Sequence, residues 1–310
     1  MITEETLFLG VDGGGSKCRV ILQDAQGRTL GEGLSGAANL LRGVKASQNA
    51  VMTAYYQARE QAGLESKDDH RVIAGLGLAG ANIEHLKQAF LSQWQVDFAG
   101  VYLTTDLEIA CLGAHKGEPG GVVIIGTGSC GLVIAEQQNY ALGGHGFLLG
   151  DKGSGAWYGL KAMQHCLEAI DGLQPKGELA SAVMALTGCQ DESDLITRYA
   201  NAMPKEFAVL APLVFKQAQL GEPAAKKLLQ EGVGYIESLC LKLLDKGPCR
   251  FSLIGGLSPL VAQQLSADLQ QRLSPALNDP EVGAILYAKQ ALHLSKQCQA
   301  SDTTNTYSET

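Results

Sequence analysis

At 310 residues the chain is long enough for two domains with proper cores. Its 45% hydrophobic and 18% charged composition is that of a soluble globular protein, and a net charge of −8 argues against nucleic acid or an anionic membrane as a main partner. No apolar run reaches the length needed to span a bilayer. Met1-Ile-Thr-Glu-Glu is acidic and lacks the pattern of an export signal, so a cytoplasmic location is expected. The eight cysteines are scattered without a Cys-x-x-Cys pair, as small core residues of a reducing compartment would be.

Leu7 to Val11 reads as a buried strand, closed by Asp12 and the glycines Gly13, Gly14 and Gly15. Ser16 and Lys17 follow, and Arg19 to Leu22 resume an extended pattern. Three glycines in a turn allow positive φ and a close ligand approach, and successive N–H groups there form a nest for anions. Ser16 adds a hydroxyl donor and Lys17 a positive charge. An acid beside such a nest makes sense if Mg²⁺ lies between them, held through water by Asp12. An ordinary glycine-rich hairpin has the same pattern. It is not a Walker A loop, since no Gly-Lys-Ser/Thr opens a helix.

Thr29 to Ser35 reads as a third strand and leads to Asn39, in an Asx turn or cap position. Val44 to Ala62 has helical spacing, Arg71 to Leu78 is an apolar strand, and Ile83 to Trp94 is helical. The strand Val101 to Thr105 ends at Asp106, ahead of a helix from Leu107 to His115. An acid at the carboxyl end of a strand is a common site position in open α/β sheets, and it is also a good N-cap.

Lys116 to Gly121 is dense in chain breakers and marks a boundary. Beyond it, Gly121 to Ala135 repeats the first pattern: an apolar strand, the turn Gly126-Thr127-Gly128-Ser129, and a second apolar strand. Two such hairpins, each opening half of one chain, are far more specific than either alone. Glycine-rich Gly143 to Gly155 then carries Gly144 and Asp151 before a helix from Ala156 to Ala169; Asp151 is also a plausible cap there. Residues 177–246 read as mainly helical, with breaks near Gly188, Pro204 and Gly221. The strand Arg250 to Ile254 meets Gly255 and Gly256 ahead of one helix, Leu260 to Leu273. Asp279-Pro-Glu opens the last helix, and the polar residues 299–310 read as a flexible tail.

Asp-Gly-Gly-Gly-Ser (12–16), Thr-Thr-Asp (104–106), Gly-Thr-Gly-Ser (126–129), Gly-Gly-His-Gly-Phe-Leu-Leu-Gly-Asp-Lys-Gly-Ser-Gly (143–155) and Ile-Gly-Gly (254–256) together resemble the N-acetylglucosamine and bacterial glucosamine kinases. These belong to the BadF/BadG/BcrA/BcrD group of ATPases. The resemblance implies an α/β fold of two actin-like (ribonuclease H-like) domains around a nucleotide cleft, here residues 1–118 and 119–298. It implies an ATP- and Mg²⁺-dependent kinase acting on the 6-hydroxyl of N-acetylglucosamine or glucosamine. Asp106 would be the general base, Asn39, Gly144 and Asp151 the sugar residues, and Gly255 and Gly256 the adenosine turn. The two hairpin turns would take the phosphates. His145 departs from the tryptophan expected between the glycines of the sugar loop. The partners implied are a small amino sugar, with no nucleic acid and no membrane; a homodimer is compatible with the sequence.

The same group contains ATPase activators of radical dehydratases and reductases that share a cysteine-bound iron–sulfur cluster, and Cys130 and Cys166 keep that alternative in view. In that pattern a cluster cysteine precedes the glycine-rich turn, whereas Cys130 follows it.

Overall fold

A computed structural model describes residues 3–135 and 138–305. The chain forms two compact units, one of Met1–Pro119 with Ala276–Thr310 and one of Gly120–Pro275.

The first unit opens with an antiparallel meander of β1 (Leu7–Gly13), β2 (Cys18–Gln23) and β3 (Thr29–Ser35), then α1 (Val44–Gln61), β4 (Val72–Leu78), α2 (Glu84–Ser92), β5 (Gly100–Thr104) and α3 (Asp106–Ala114). The sheet order is β3-β2-β1-β4-β5, with β1 parallel to β4 and β4 to β5. Burial follows position: β1 and β4 are central and apolar almost throughout, β2 alternates, and the edge strand β3 is largely exposed. On α1, Val51, Ala54, Tyr55 and Ala58 fall at i, i+3, i+4 and i+7 and pack with Val20 and Leu22.

The second unit runs β6 (Gly120–Ile125), β7 (Ser129–Ile134), β8 (Asn139–Gly143), α4 (Gly155–Ile170), α5 (Glu178–Thr187), α6 (Glu192–Tyr199), α7 (Pro204–Ala208), α8 (Ala211–Gln219), α9 (Pro223–Leu244), β9 (Phe251–Ile254), α10 (Ser258–Ala262) and α11 (Ala267–Arg272). Its sheet order is β8-β7-β6-β9, again a meander with a parallel strand beside its first member. The same plan used twice is the mixed α/β arrangement of actin-like sugar kinases. The single helix expected over 260–273 is two, α10 and α11. The chain turns between them because Leu265 is drawn into the core and Ser266 donates its N–H and hydroxyl to Glu237.

The last helix, α12 (Pro280–Asn305), corrects the expected division at 119–298. Its Ile285 and Ala288 pack against Phe8 and Ile73, so the chain's final segment completes the first sheet rather than the second. It also continues to Asn305, through the first part of the stretch expected as a tail; residues 306–310 lie outside the described residues. Close approach of α12 depends on glycine. A Cβ on Gly10 would collide with the Glu281 carbonyl, and one on Gly283 with the Ile109 carbonyl of α3. Gly283→Val is therefore expected to cost roughly 3 kcal/mol or more through overpacking. That lowers the melting temperature by on the order of 10 °C, and a thermal shift below about 2 °C would mean that α12 and α3 have room to part.

Candidate active site

In the first unit the β1–β2 hairpin pairs Asp12 with Arg19 and Gly13 with Cys18. Gly14 closes the turn by donating its N–H to the Lys17 carbonyl at 3.0 Å. None of Gly13, Gly14 and Gly15 adopts positive φ, so the expected use of glycine for left-handed backbone is not the reason for the triplet. Space is the reason at Gly13, where a Cβ would strike Leu78 and Ala38, while Gly15 faces open space. One N–H of the expected nest is thus committed to the turn, and the tip is half-buried Gly15 and Ser16 with exposed Lys17.

The neighbouring turn is stitched to this one. Ala38 N–H donates to the Gly14 carbonyl (3.1 Å), Ala79 N–H to Gly13 (2.8 Å), and Leu40 N–H to Ala79 (2.9 Å). Asn39 therefore stands beside the hairpin. Its Oδ1 caps a short 3₁₀ turn by accepting from Leu41 N–H at 2.9 Å.

Asp106 is the first residue of α3, but it is not the cap. Thr105 holds the N-cap position and its Oγ1 accepts from Glu108 N–H at 3.1 Å. Asp106 Oδ1 accepts from Leu107 N–H at 3.0 Å. Burial pushes its carboxyl up to about 6, against the opposing pull of backbone N–H groups. Asp12 is pushed further, to about 7, first by burial and then by the charges of Glu281 and Asp106, with Lys17 and Arg19 pulling it down. Glu281 and Asp106 thus both act on Asp12 within a single unit. A buried carboxylate with a raised pKa beside another acid is the electrostatic pattern of functional sites.

Glu281 and Arg19 were not singled out from the sequence. Glu281 is 1% exposed on the first turn of α12, and Arg19 Nε lies 3.1 Å from its Oε1. The only local hint was the acidic Asp279-Pro-Glu start of the helix; its meeting with Asp12 spans the whole length of the chain.

In the second unit, the turn 126–129, the loop 144–151 and the turn 255–256 converge. Gly126 N–H donates to Gly128 O at 2.9 Å, while Gly155 and Ala156 at the start of α4 donate to the carbonyls of Gly126 (2.8 Å) and Thr127 (3.2 Å). Ser129 Oγ donates to the Lys152 carbonyl at 2.9 Å, and Gly144 N–H to the Ser129 carbonyl at 3.0 Å. Leu257 N–H donates to the Ile125 carbonyl at 3.0 Å, which fixes Gly255 and Gly256 at the end of β6. Gly126 and Gly256 both leave open space where a side chain would stand.

Asp151 does not cap α4; Ser154 does, accepting from Trp157 N–H at 3.2 Å. Asp151 is 9% exposed and sits at φ 56°, and Leu148 in the same loop at φ 79°. Side chains held in left-handed backbone store strain, which clusters at ligand sites. Burial raises the Asp151 carboxyl, while N–H groups of Gly146 and Ser129 and the nearby His145 draw it back down. A Cβ on Gly128 would come within 2.7 Å of Asp151 Oδ2, so this acid stands directly beside the second turn. His145, in the place expected for tryptophan, is exposed and stacks its Cβ side over Gly150.

The donors in the first unit are hard oxygens, which suit Mg²⁺ and not a transition metal. No group of three or more His, Cys, Asp or Glu among the described residues is arranged to hold a metal ion.

The chain is similar to known amino-sugar kinases. The glucosamine kinase of Vibrio cholerae is 36% identical over 286 residues, covering 92% of this chain and 97% of that protein. The N-acetyl-D-glucosamine kinase of Dictyostelium discoideum is 30% identical over 314 residues, covering 91% and 97%. A solved structure of a candidate N-acetylglucosamine kinase from Chromobacterium violaceum superposes with a TM-score of 0.86 at 33% identity, over 91% of this chain and 99% of that one. The BadF/BadG/BcrA/BcrD ATPase family model matches residues 9–288, a span that holds both glycine-rich hairpins, Asp12, Asp106, Glu281 and the loop 144–151, and the chain belongs to that family.

Proposed function

We propose that this protein is an ATP-dependent amino-sugar kinase that phosphorylates the 6-hydroxyl of glucosamine or N-acetylglucosamine, with Asp106 as general base. The observation that carries this reading is Asp106 itself. It is a half-buried acid at a helix start whose capping duty is taken by Thr105, in the same unit as Asp12.

Phosphoryl transfer asks a protein for positioning, charge neutralisation and removal of one proton. Gly13 to Lys17 and Gly126 to Ser129 hold the phosphates, and Gly255 and Gly256 receive adenosine. Asp12 holds hydrated Mg²⁺, which when bound neutralises phosphate charge. Asn39 spends Oδ1 on its turn and offers its amide NH₂ to a sugar hydroxyl. Asp151 keeps lone pairs beyond those given to the two N–H groups, and Gly144 lines the same loop. Asp106 takes the hydroxyl proton on a lone pair not engaged by backbone. A base raised to about 6 is ionised at neutral pH yet basic enough to accept.

The iron–sulfur alternative finds less support. Cys166 is fully buried in the second core and donates toward the Ala180 carbonyl, and burial raises its thiol away from the thiolate form that a cluster needs.

An ADP-release assay over glucosamine, N-acetylglucosamine and glucose tests the substrate class. An amino sugar should exceed glucose in kcat/KM by about tenfold or more, the scale set by one well-satisfied polar contact. Phosphorus NMR of the product should place the phosphate on the 6-oxygen. Preference for glucose over both amino sugars would sink the substrate assignment and leave the kinase standing.

A further inference from the structure

Glu281 arrives at the site from the far end of the chain. The Glu281 carbonyl packs where a Gly10 side chain would stand, two residues before Asp12 on the same face of β1. Asp12 and Arg19 are register partners on that face, and Arg19 Nε is 3.1 Å from Glu281 Oε1. At 1% exposure Glu281 is deeply buried, and among the described residues neither of its oxygens accepts a well-aligned hydrogen bond, the Arg19 ion pair being its close polar contact. A buried carboxylate with only one off-axis ion contact leaves most of its desolvation uncompensated. As scaffold alone, this position would be better filled by an apolar or amide side chain. Two acids brought to one face of the sheet are sensibly placed when a cation is meant to stand near both.

We propose that Glu281 is a positioning residue of the divalent-cation site, sharing the water shell of Mg²⁺ with Asp12. This rests on the kinase reading and adds to it an acid on α12. With a cation bound, hydrogen bonds to Glu281 would come from its water shell. Residues that hold a metal site through hydrogen bonds typically change affinity 10- to 100-fold when removed.

The test measures binding rather than turnover. A non-hydrolysable ATP analogue is titrated into the full-length protein by calorimetry, once with Mg²⁺ and once with EDTA. Wild type should bind the analogue at least about tenfold more tightly with Mg²⁺, and Glu281→Gln should keep the EDTA affinity while losing most of that gain. Arg19→Gln separates this role from a merely structural one: it breaks the ion pair but leaves Glu281 in place, and should retain the gain. If Glu281→Gln fails to fold, Glu281→Asp, which retracts the carboxylate, should show a partial loss. A full Mg²⁺ gain in the Glu281 variants, or an equal loss in Arg19→Gln, overturns the proposal. Absence of any gain in wild type also overturns it, and if wild type still releases ADP in a sugar-dependent way the kinase reading survives.

Discussion

Asp106→Asn should bind nucleotide and sugar within about threefold of wild type and lose 10²- to 10⁴-fold in kcat, the usual range for a missing general base. The substitution is nearly isosteric, and Asn Oδ1 still accepts from Leu107 N–H, so the start of α3 survives. Thr105 keeps the cap in either case. The wild-type profile should have an acid limb, because the base must be ionised and burial holds its pKa near 6. Asp12, raised to about 7, titrates next to it and feels its charge. The apparent pKa values therefore belong to the pair and not to either acid. Activity should fall as pH drops through this region and level off above it. The residual rate of the variant should show a weakened acid limb. A variant retaining more than about a tenth of wild-type kcat would reduce Asp106 to a structural acid.

Much of this site was legible because it is local. Each hairpin is a contiguous strand–turn–strand, and its period-2 pattern and small residues survive in a single window of sequence. Asp106 after its strand and Asp151 in its loop were visible too, but whether each caps the helix that follows was not. Neither does, since Thr105 and Ser154 hold those caps. Asn39 shows the opposite outcome, since the cap is real and the amide remains. The division of the chain was legible only in part. A break near residue 119 is a local signal, whereas the return of α12 to the first sheet is a matter of which face Ile285 and Ala288 cover. Glu281 was missed for the same reason: its partner Arg19 lies more than two hundred residues away in sequence, and no periodicity links them. The glycines of the first turn were found for an incomplete reason. Positive φ was the expectation; none of the three adopts it, and Gly13 alone is packed against Ala38 and Leu78.

Asp12→Asn should abolish the Mg²⁺-dependent part of nucleotide binding and at the same time make the unliganded protein more heat-stable. The acid is held at about 7 in the folded chain against an ordinary 3.8, so folding raises its proton affinity. The folded state then binds more protons than the unfolded state between those values, and stability falls as pH climbs from about 4 to about 7. Above that window the ionised carboxylate sits among Glu281 and Asp106 at a cost, which a bound cation would relieve. Asparagine removes the charge and keeps the shape. At pH 8 the variant should melt about 2–5 °C higher, which corresponds to roughly 1 kcal/mol in a protein of this size after allowing for the partial solvent access of Asp12. At pH 5 wild-type Asp12 is largely protonated and the advantage should shrink toward zero. Scanning calorimetry of both proteins at the two pH values measures the difference directly. A destabilised variant at pH 8 would mean that Lys17 and Arg19 outweigh burial and the neighbouring acids, and that Asp12 is held as a structural ion pair instead of being poised for a metal.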